Sequence, residues 1–241
     1  CLDDVAYTPG SITPERADKF SGVFQKAGKT VPLIGAYFNP VHPDEQKIKN
    51  GIAVFKDHLA LAKRLGCDIV GSETGSYNGD KWTYHPQNRT EEAVLRVEKT
   101  FAELCGFAEE HGVNVGMEGA FGHVCWNVKT LARAVKDIGA PNIKIIFDLY
   151  NYLDGSNIDK MYDILEEGLQ TFGDRICVFH IKDCTVNEDG SLKQCGVGKG
   201  IFDYDRIITE IKKVCPDANL VFEGTVGDDI PPAVKHLRER I

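Results

Sequence analysis

The chain has 241 residues, long for most single domains, and ordinary shares of hydrophobic (42%) and charged (27%) residues exclude an intrinsically disordered chain. No apolar run approaches the roughly 20 residues that span a bilayer. The formal charge of −8 repels phosphate backbones and argues against a general nucleic-acid binder.

The chain opens on Cys1, and no charged stretch followed by an apolar one marks a secretion signal. Residues 1–7 form a weak strand candidate. A helix is expected over 13–27, where Thr13 caps and Pro14 takes the first turn. A strand over 32–37 follows, then Asn39 and His42. Residues 44–65 carry Ile48, Ile52, Phe55, Leu59 and Ala62 on one helical stripe. The strand over 68–73 ends on Glu73, and the next loop offers Trp82, Tyr84 and His85 as an aromatic lid over a ligand. Residues 90–111 form a helix with Val94, Val97, Phe101 and Leu104 aligned. Strands over 113–118, 143–148, 176–181 and 219–223 then alternate with helices over 128–138, 157–171, 203–214 and 230–240. No linker divides the chain, so residues 1–241 read as one domain.

The strands are apolar almost throughout, as in parallel sheets covered on both faces. Strict strand–helix alternation fits an open doubly wound sheet or a (β/α)8 TIM barrel. No G-x-G-x-x-G follows the first strand, which weakens the open sheet. Glu73, Glu118, Asp148, His180 and Glu223 each fall at or near a strand's C-terminal end. In a barrel those ends converge on one face, where active sites sit, so the barrel is the expected fold. Seven strand candidates fall one short of eight, so the first βα unit is expected upstream of Cys1 or absent. The eight scattered cysteines form no CxxC pair and read as reduced, buried thiols of a cytoplasmic protein.

Glu118, Asp148, His180 and Glu223 fall on the last four strands, one βα unit apart. Three carboxylates and an imidazole suit Mn²⁺, Mg²⁺, Co²⁺ or Zn²⁺. A cation would offset the cost of burying such charges together.

The segments Glu118–His123, Asp148–Leu153 (FDxxNYL with the preceding Phe147), His180–Asp183, Gly198–Tyr204 and the final FEG resemble the xylose isomerase-like TIM-barrel superfamily, from about residue 30 onward. The resemblance implies that Glu118, Asp148, His180 and Glu223 hold one divalent metal ion. It also implies that Glu118 and Glu223 are catalytic, one removing a proton beside a carbonyl and the other returning one. Ketose 3-epimerases of this group carry His where this chain has Asn151, which puts that substrate in doubt. Glu73, Trp82, His123, Asn151, Lys182 and Asp183 are the expected substrate contacts. For Lys182 two readings stand, polarising a substrate oxygen or, on strand alternation, pointing away from the lumen. The pair Gly198 and Gly200 reads as a tight turn before a helix rather than as a phosphate loop.

The expected function is a metal-dependent isomerase or epimerase of a sugar, sugar phosphate or polyol. The alternatives are a lyase of the inosose dehydratase type and a non-catalytic sugar-binding barrel. An endonuclease IV-like phosphodiesterase is disfavoured, since Leu192 and Gln194 stand where that enzyme needs zinc ligands. The expected partner is a small molecule, with no nucleic acid and no membrane, and homo-oligomerisation is left open.

Overall fold

A computed structural model describes residues 8–241, so the strand expected over 1–7 lies outside the described residues. The chain packs as two units that divide after Lys144.

The first unit alternates α1 (Pro14–Lys26), β1 (Ile34–Gly35), α2 (Glu45–Leu61), β2 (Ile69–Glu73), α3 (Glu91–Glu110), β3 (Asn114–Glu118) and α4 (Val128–Ile138). Each helix starts on a side chain that accepts an otherwise unpaired backbone N–H. Thr13, Asp44, Thr90 and Asn127 accept from Arg16, Gln46, Ala93 and Thr130 at 3.3, 2.8, 3.3 and 2.8 Å. Of the expected stripes, Ile48, Phe55 and Leu59 on α2 and Val94, Val97, Phe101 and Leu104 on α3 are buried, whereas Ile52 is half-buried. β1, β2 and β3 pair in parallel, with Gly35 opposite Gly71, Gly71 opposite Gly116, and Glu73 opposite Glu118. Side chains two residues apart share a face, so Tyr37, Glu73 and Glu118 stand one step beyond a row of three glycines. A Cβ at Gly35 would strike the Tyr37 ring at 2.6 Å, so this glycine lets the ring lie flat.

The second unit takes up β4 (Ile143–Asp148), α5 (Met161–Phe172), β5 (Ile176–Ile181), β6 (Asp183–Val186), β7 (Leu192–Cys195), α6 (Tyr204–Val214), β8 (Asn219–Phe222) and α7 (Ile230–Arg238). β4, β5 and β8 are parallel neighbours, whereas β6 and β7 form a separate antiparallel hairpin. Phe147 anchors the core, its ring 5.9 Å from Phe179 and 5.3 Å from Tyr152. The helix expected over 157–171 begins as a tight turn at Ile158–Lys160. The hairpin is absent from the sequence reading above. Its strands are mixed in polarity, while the parallel strands are mostly apolar.

The seven described cysteines are free. Burial pushes the Cys105 and Cys125 thiols up to about 12, which leaves them protonated and unreactive. Among the described residues no helix is long and apolar enough to cross a membrane.

His58 gives the first unit a pH dependence. Its ring is 1% exposed on α2, Nδ1 lies 2.8 Å from the Val54 carbonyl oxygen, and burial holds its pKa below the usual histidine value. The unfolded chain binds a proton near pH 6.5 that the folded chain resists. Folding stability from this group is therefore complete above about pH 6.5 and falls as the pH drops below it. Denaturant titrations at pH 5, 6 and 7 should show a shallower slope in His58→Leu than in the wild type. An unchanged slope would assign the pH dependence to other groups.

Candidate functional site

In the second unit, Asp148 lies opposite His180 and His180 opposite Val221. Glu223 is two residues beyond Val221 and so shares the His180 face. Its amide extends the pairing by donating to the Ile181 carbonyl at 3.2 Å. Asp148, His180 and Glu223 each bring a ligand-type atom within 4.8 Å of the others. Asp148 is fully buried, and the His180 side chain is 5% exposed. His180 Nδ1 lies 2.8 Å from Glu223 Oε2, and the Asn151 amide donates to Asp148 Oδ1 at 3.1 Å. Burial alone would raise the Glu223 pKa. The His180 hydrogen bond and the Lys182 charge overcome it and pull the carboxyl down to about 2, so Glu223 is anionic at neutral pH.

Lys182 points into the cluster, against the alternative that turns it away from the lumen. Its ammonium reaches Asp148 Oδ2 at 2.8 Å, Glu223 Oε1 at 3.1 Å and Asn151 Oδ1 at 2.9 Å. Alternation puts residue i+2 on the same face as i, so Lys182 follows His180 into the site rather than turning away. The Tyr204 hydroxyl donates to the Lys182 carbonyl and holds this backbone in place.

Asp183, expected at the substrate, takes a structural role instead. It is fully buried, and its carboxylate accepts the amides of Cys184 and Phe202 on Oδ1, at 2.9 and 3.2 Å. Those of Gly198 and Gly200 reach Oδ2, at 2.9 and 3.0 Å. The G-x-G segment is the expected turn before a helix, and its amides close on the chain's own Asp183 carboxylate, an anion contact that the sequence does not announce. A Cβ at Gly200 would meet Asp183 Oδ1 at 2.1 Å and the Cys184 carbonyl at 2.3 Å. Gly200→Ala should cost about 1–3 kcal/mol of stability, read by thermal or urea unfolding. A neutral substitution would show that this turn yields freely.

In the first unit, Glu118 is 1% exposed and accepts a hydrogen bond from the Tyr37 hydroxyl at 3.0 Å. Glu73 Oε1 lies 3.9 Å from His123 Nδ1, and His123 Nε2 is 3.1 Å from the Trp82 carbonyl oxygen. The Trp82 and His123 rings approach to 5.4 Å. Trp82 has φ 52°, the one positive φ outside glycine among the described residues, a conformation that tertiary contacts must sustain. Tyr84 is exposed, and its ring lies under the Arg89 guanidinium at 5.1 Å. Arg89 also donates to the Phe121 and His123 carbonyls at 2.6 and 2.7 Å and lies over the Trp126 ring at 4.5 Å. It thereby ties the Trp82 loop to the His123 loop. A cavity of about 240 Å³ is lined by Tyr37, His42, Asn50 and Trp82. Asn39 spends its amide on the loop, donating to the Ser76 and Gly79 carbonyls and accepting from the Val41 and Ser76 amides. The sequence reading missed Tyr37, Arg89 and Tyr204. A hydroxyl-bearing aromatic at the end of the PLIGAY strand was the available signal for Tyr37.

The family described as xylose isomerase-like TIM barrel matches residues 3–240. The chain belongs to this family. Its fold is the TIM barrel, which solved structures of low sequence identity share. A xylose isomerase-like TIM-barrel protein from Mycobacterium smegmatis, in complex with magnesium, aligns with TM-score 0.75 at 14% identity, covering 95% of this chain and 78% of its own. The 3-keto-D-glucoside 4-epimerase from E. coli aligns with TM-score 0.72 at 16% identity, covering 94% and 84%. Endonuclease IV from Thermus thermophilus aligns with TM-score 0.69 at 17% identity, covering 97% and 85%. No curated protein matches the sequence.

The donors of the second unit fit a divalent ion. Metal–oxygen and metal–nitrogen bonds of about 2.0–2.2 Å place two donors of one ion at most roughly 4.3 Å apart. The observed limit of 4.8 Å needs only small side-chain rotations to close. Oxygen and imidazole donors together select a hard or borderline cation.

Proposed function

We propose that this protein is a divalent-metal-dependent isomerase or epimerase of a sugar, sugar phosphate or polyol, working by proton transfer beside a carbonyl. The observation that carries the reading is the Asp148–His180–Glu223 cluster at adjacent parallel strand ends. In the proposal Glu118 is the fourth ligand, and the ion is Mn²⁺, Mg²⁺, Co²⁺ or Zn²⁺. When bound, such an ion lowers the cost of negative charge developing on substrate oxygens. Glu118 and Glu223 exchange the proton, and Tyr37 orients the Glu118 carboxylate through its 3.0 Å hydrogen bond. Glu73, Trp82, His123, Asn151 and Lys182 bind and orient the substrate. The magnesium-bound and epimerase neighbours support this reading as relatives in fold. Seven free thiols among the described residues, five of them buried, agree with a cytoplasmic setting.

A lyase is the second reading, because Asn151 replaces the substrate-placing histidine of the 3-epimerases and dehydration begins with the same proton removal. The endonuclease reading gains nothing from β7, where Gln194 is engaged with the Glu223 carbonyl at 3.1 Å. Metal analysis of the purified protein, followed by NMR of a panel of ketoses, ketose phosphates and keto-polyols in D₂O, tests the proposal. One divalent ion per chain and deuterium entering beside the carbonyl are expected. Loss of water in place of a returned proton would select the lyase. Absence of both metal and exchange would overturn the proposal.

A further inference from the structure

We infer that Lys182 is a built-in counter-cation which a divalent ion must displace, and that Asn151 is where its ammonium withdraws. The inference rests on the metal-centre reading above.

The Lys182 side chain is 7% exposed, and its ammonium lies 2.8 Å from Asp148 Oδ2 and 3.1 Å from Glu223 Oε1. These carboxylates belong to the proposed ligand set. An ion bonded to them at about 2.1 Å would occupy the space on which the ammonium closes. Two cations so placed repel, most strongly beside Asp148, whose side chain is fully buried, and less on the side of Glu223, whose side chain is 47% exposed. Binding of the ion therefore requires the ammonium to leave both carboxylates.

A withdrawn position is already built. Asn151 Oδ1 accepts from the ammonium at 2.9 Å, and the Tyr150 ring lies 5.7 Å from Nζ. Asn151 is neutral, so it holds a cation without competing for the metal, and the ring face adds a cation–π contact. The four-carbon stem pivots from a backbone that the Tyr204 hydroxyl holds at the Lys182 carbonyl. A small rotation breaks the two carboxylate contacts and keeps the Asn151 contact. Lys182 thus neutralises the buried Asp148 before the metal arrives and lowers the affinity of the site for it. Asn151 offsets part of that competition.

Titration calorimetry of Mg²⁺ and Mn²⁺ into the full chain, at fixed pH and ionic strength, tests this. Lys182→Met and Lys182→Gln should bind at least about tenfold more tightly than the wild type, because a like charge is removed. Asn151→Ala should bind roughly three- to tenfold more weakly, because the withdrawn ammonium loses its acceptor. Adding Asn151→Ala to Lys182→Met should change nothing further. Equal affinity in the wild type and both Lys182 variants would overturn the inference and leave the metal centre standing. Absence of binding in every protein would overturn the metal centre itself. If both Lys182 variants fail to fold, NMR of the wild-type lysine Nζ and Cε signals decides: Lys182 must shift on metal addition, and an unmoved signal at saturation overturns the inference.

Discussion

His180→Ala should bind divalent metal at least about a hundredfold more weakly than the wild type. Loss of a partner around a ligand already costs 10- to 100-fold in affinity, and loss of the ligand itself costs more. His180 also braces Glu223 through the 2.8 Å Nδ1 contact, so its removal releases a second donor. The fold should survive, because the ring stands at the end of β5 while Val178 and Phe179 carry the packing. Asp148→Asn should fare worse. Asp148 is fully buried, and breaking one side of a buried ion pair strands Lys182, at a cost of about 3–5 kcal/mol. Equilibrium dialysis with metal analysis, beside circular dichroism, separates the two effects. Full metal occupancy in folded His180→Ala would remove His180 from the ligand set.

The parallel strands are legible because most are short runs of Val, Ile and Phe, largely buried in β2 to β5 and only half-buried in β8. The six strands expected over described residues all appear. β1 is reduced to Ile34–Gly35, since beyond the Ala36 amide, which still donates to the Gly71 carbonyl, a side chain takes over the pairing, the Phe38 amide donating to Ser72 Oγ at 3.1 Å. The β6–β7 hairpin carried a different signal, Asp189–Gly190 between two short mixed strands. Gly190 adopts φ 82°, and the Asn187 amide donates to the Ser191 carbonyl at 2.9 Å, a turn that Asp–Gly favours. A search for apolar runs passes over it. Long-range polar contacts were illegible for another reason. The Tyr37–Glu118 and Arg89–His123 contacts join loops and strand ends far apart in sequence, and no local pattern encodes such partners. Lys182 is legible in the sequence, because its spacing of two from His180 places both on one face, which the contacts with Asp148 and Glu223 bear out.

Glu118→Gln and Glu223→Gln should each slow deuterium exchange at the substrate carbon by roughly 10²- to 10⁴-fold, the usual worth of a positioned proton-transfer group. An amide keeps the shape and a ligand oxygen but cannot take a proton at carbon. At Glu118 the Tyr37 hydroxyl can still donate to the amide oxygen, so the side chain should stay oriented and the variant should keep part of its metal. Tyr37→Phe should cost less, because it frees the carboxylate to turn and leaves its basicity in place. At Glu223 the amide loses the charge that Lys182 and His180 now meet, so metal affinity should fall together with turnover. The two substitutions thus differ in a measurable ratio: Glu118→Gln loses mostly rate, and Glu223→Gln loses rate and metal. The test is to saturate each variant with metal and follow exchange by proton NMR in D₂O. Wild-type exchange rates in both variants would exclude the two-glutamate mechanism, whatever metal they hold.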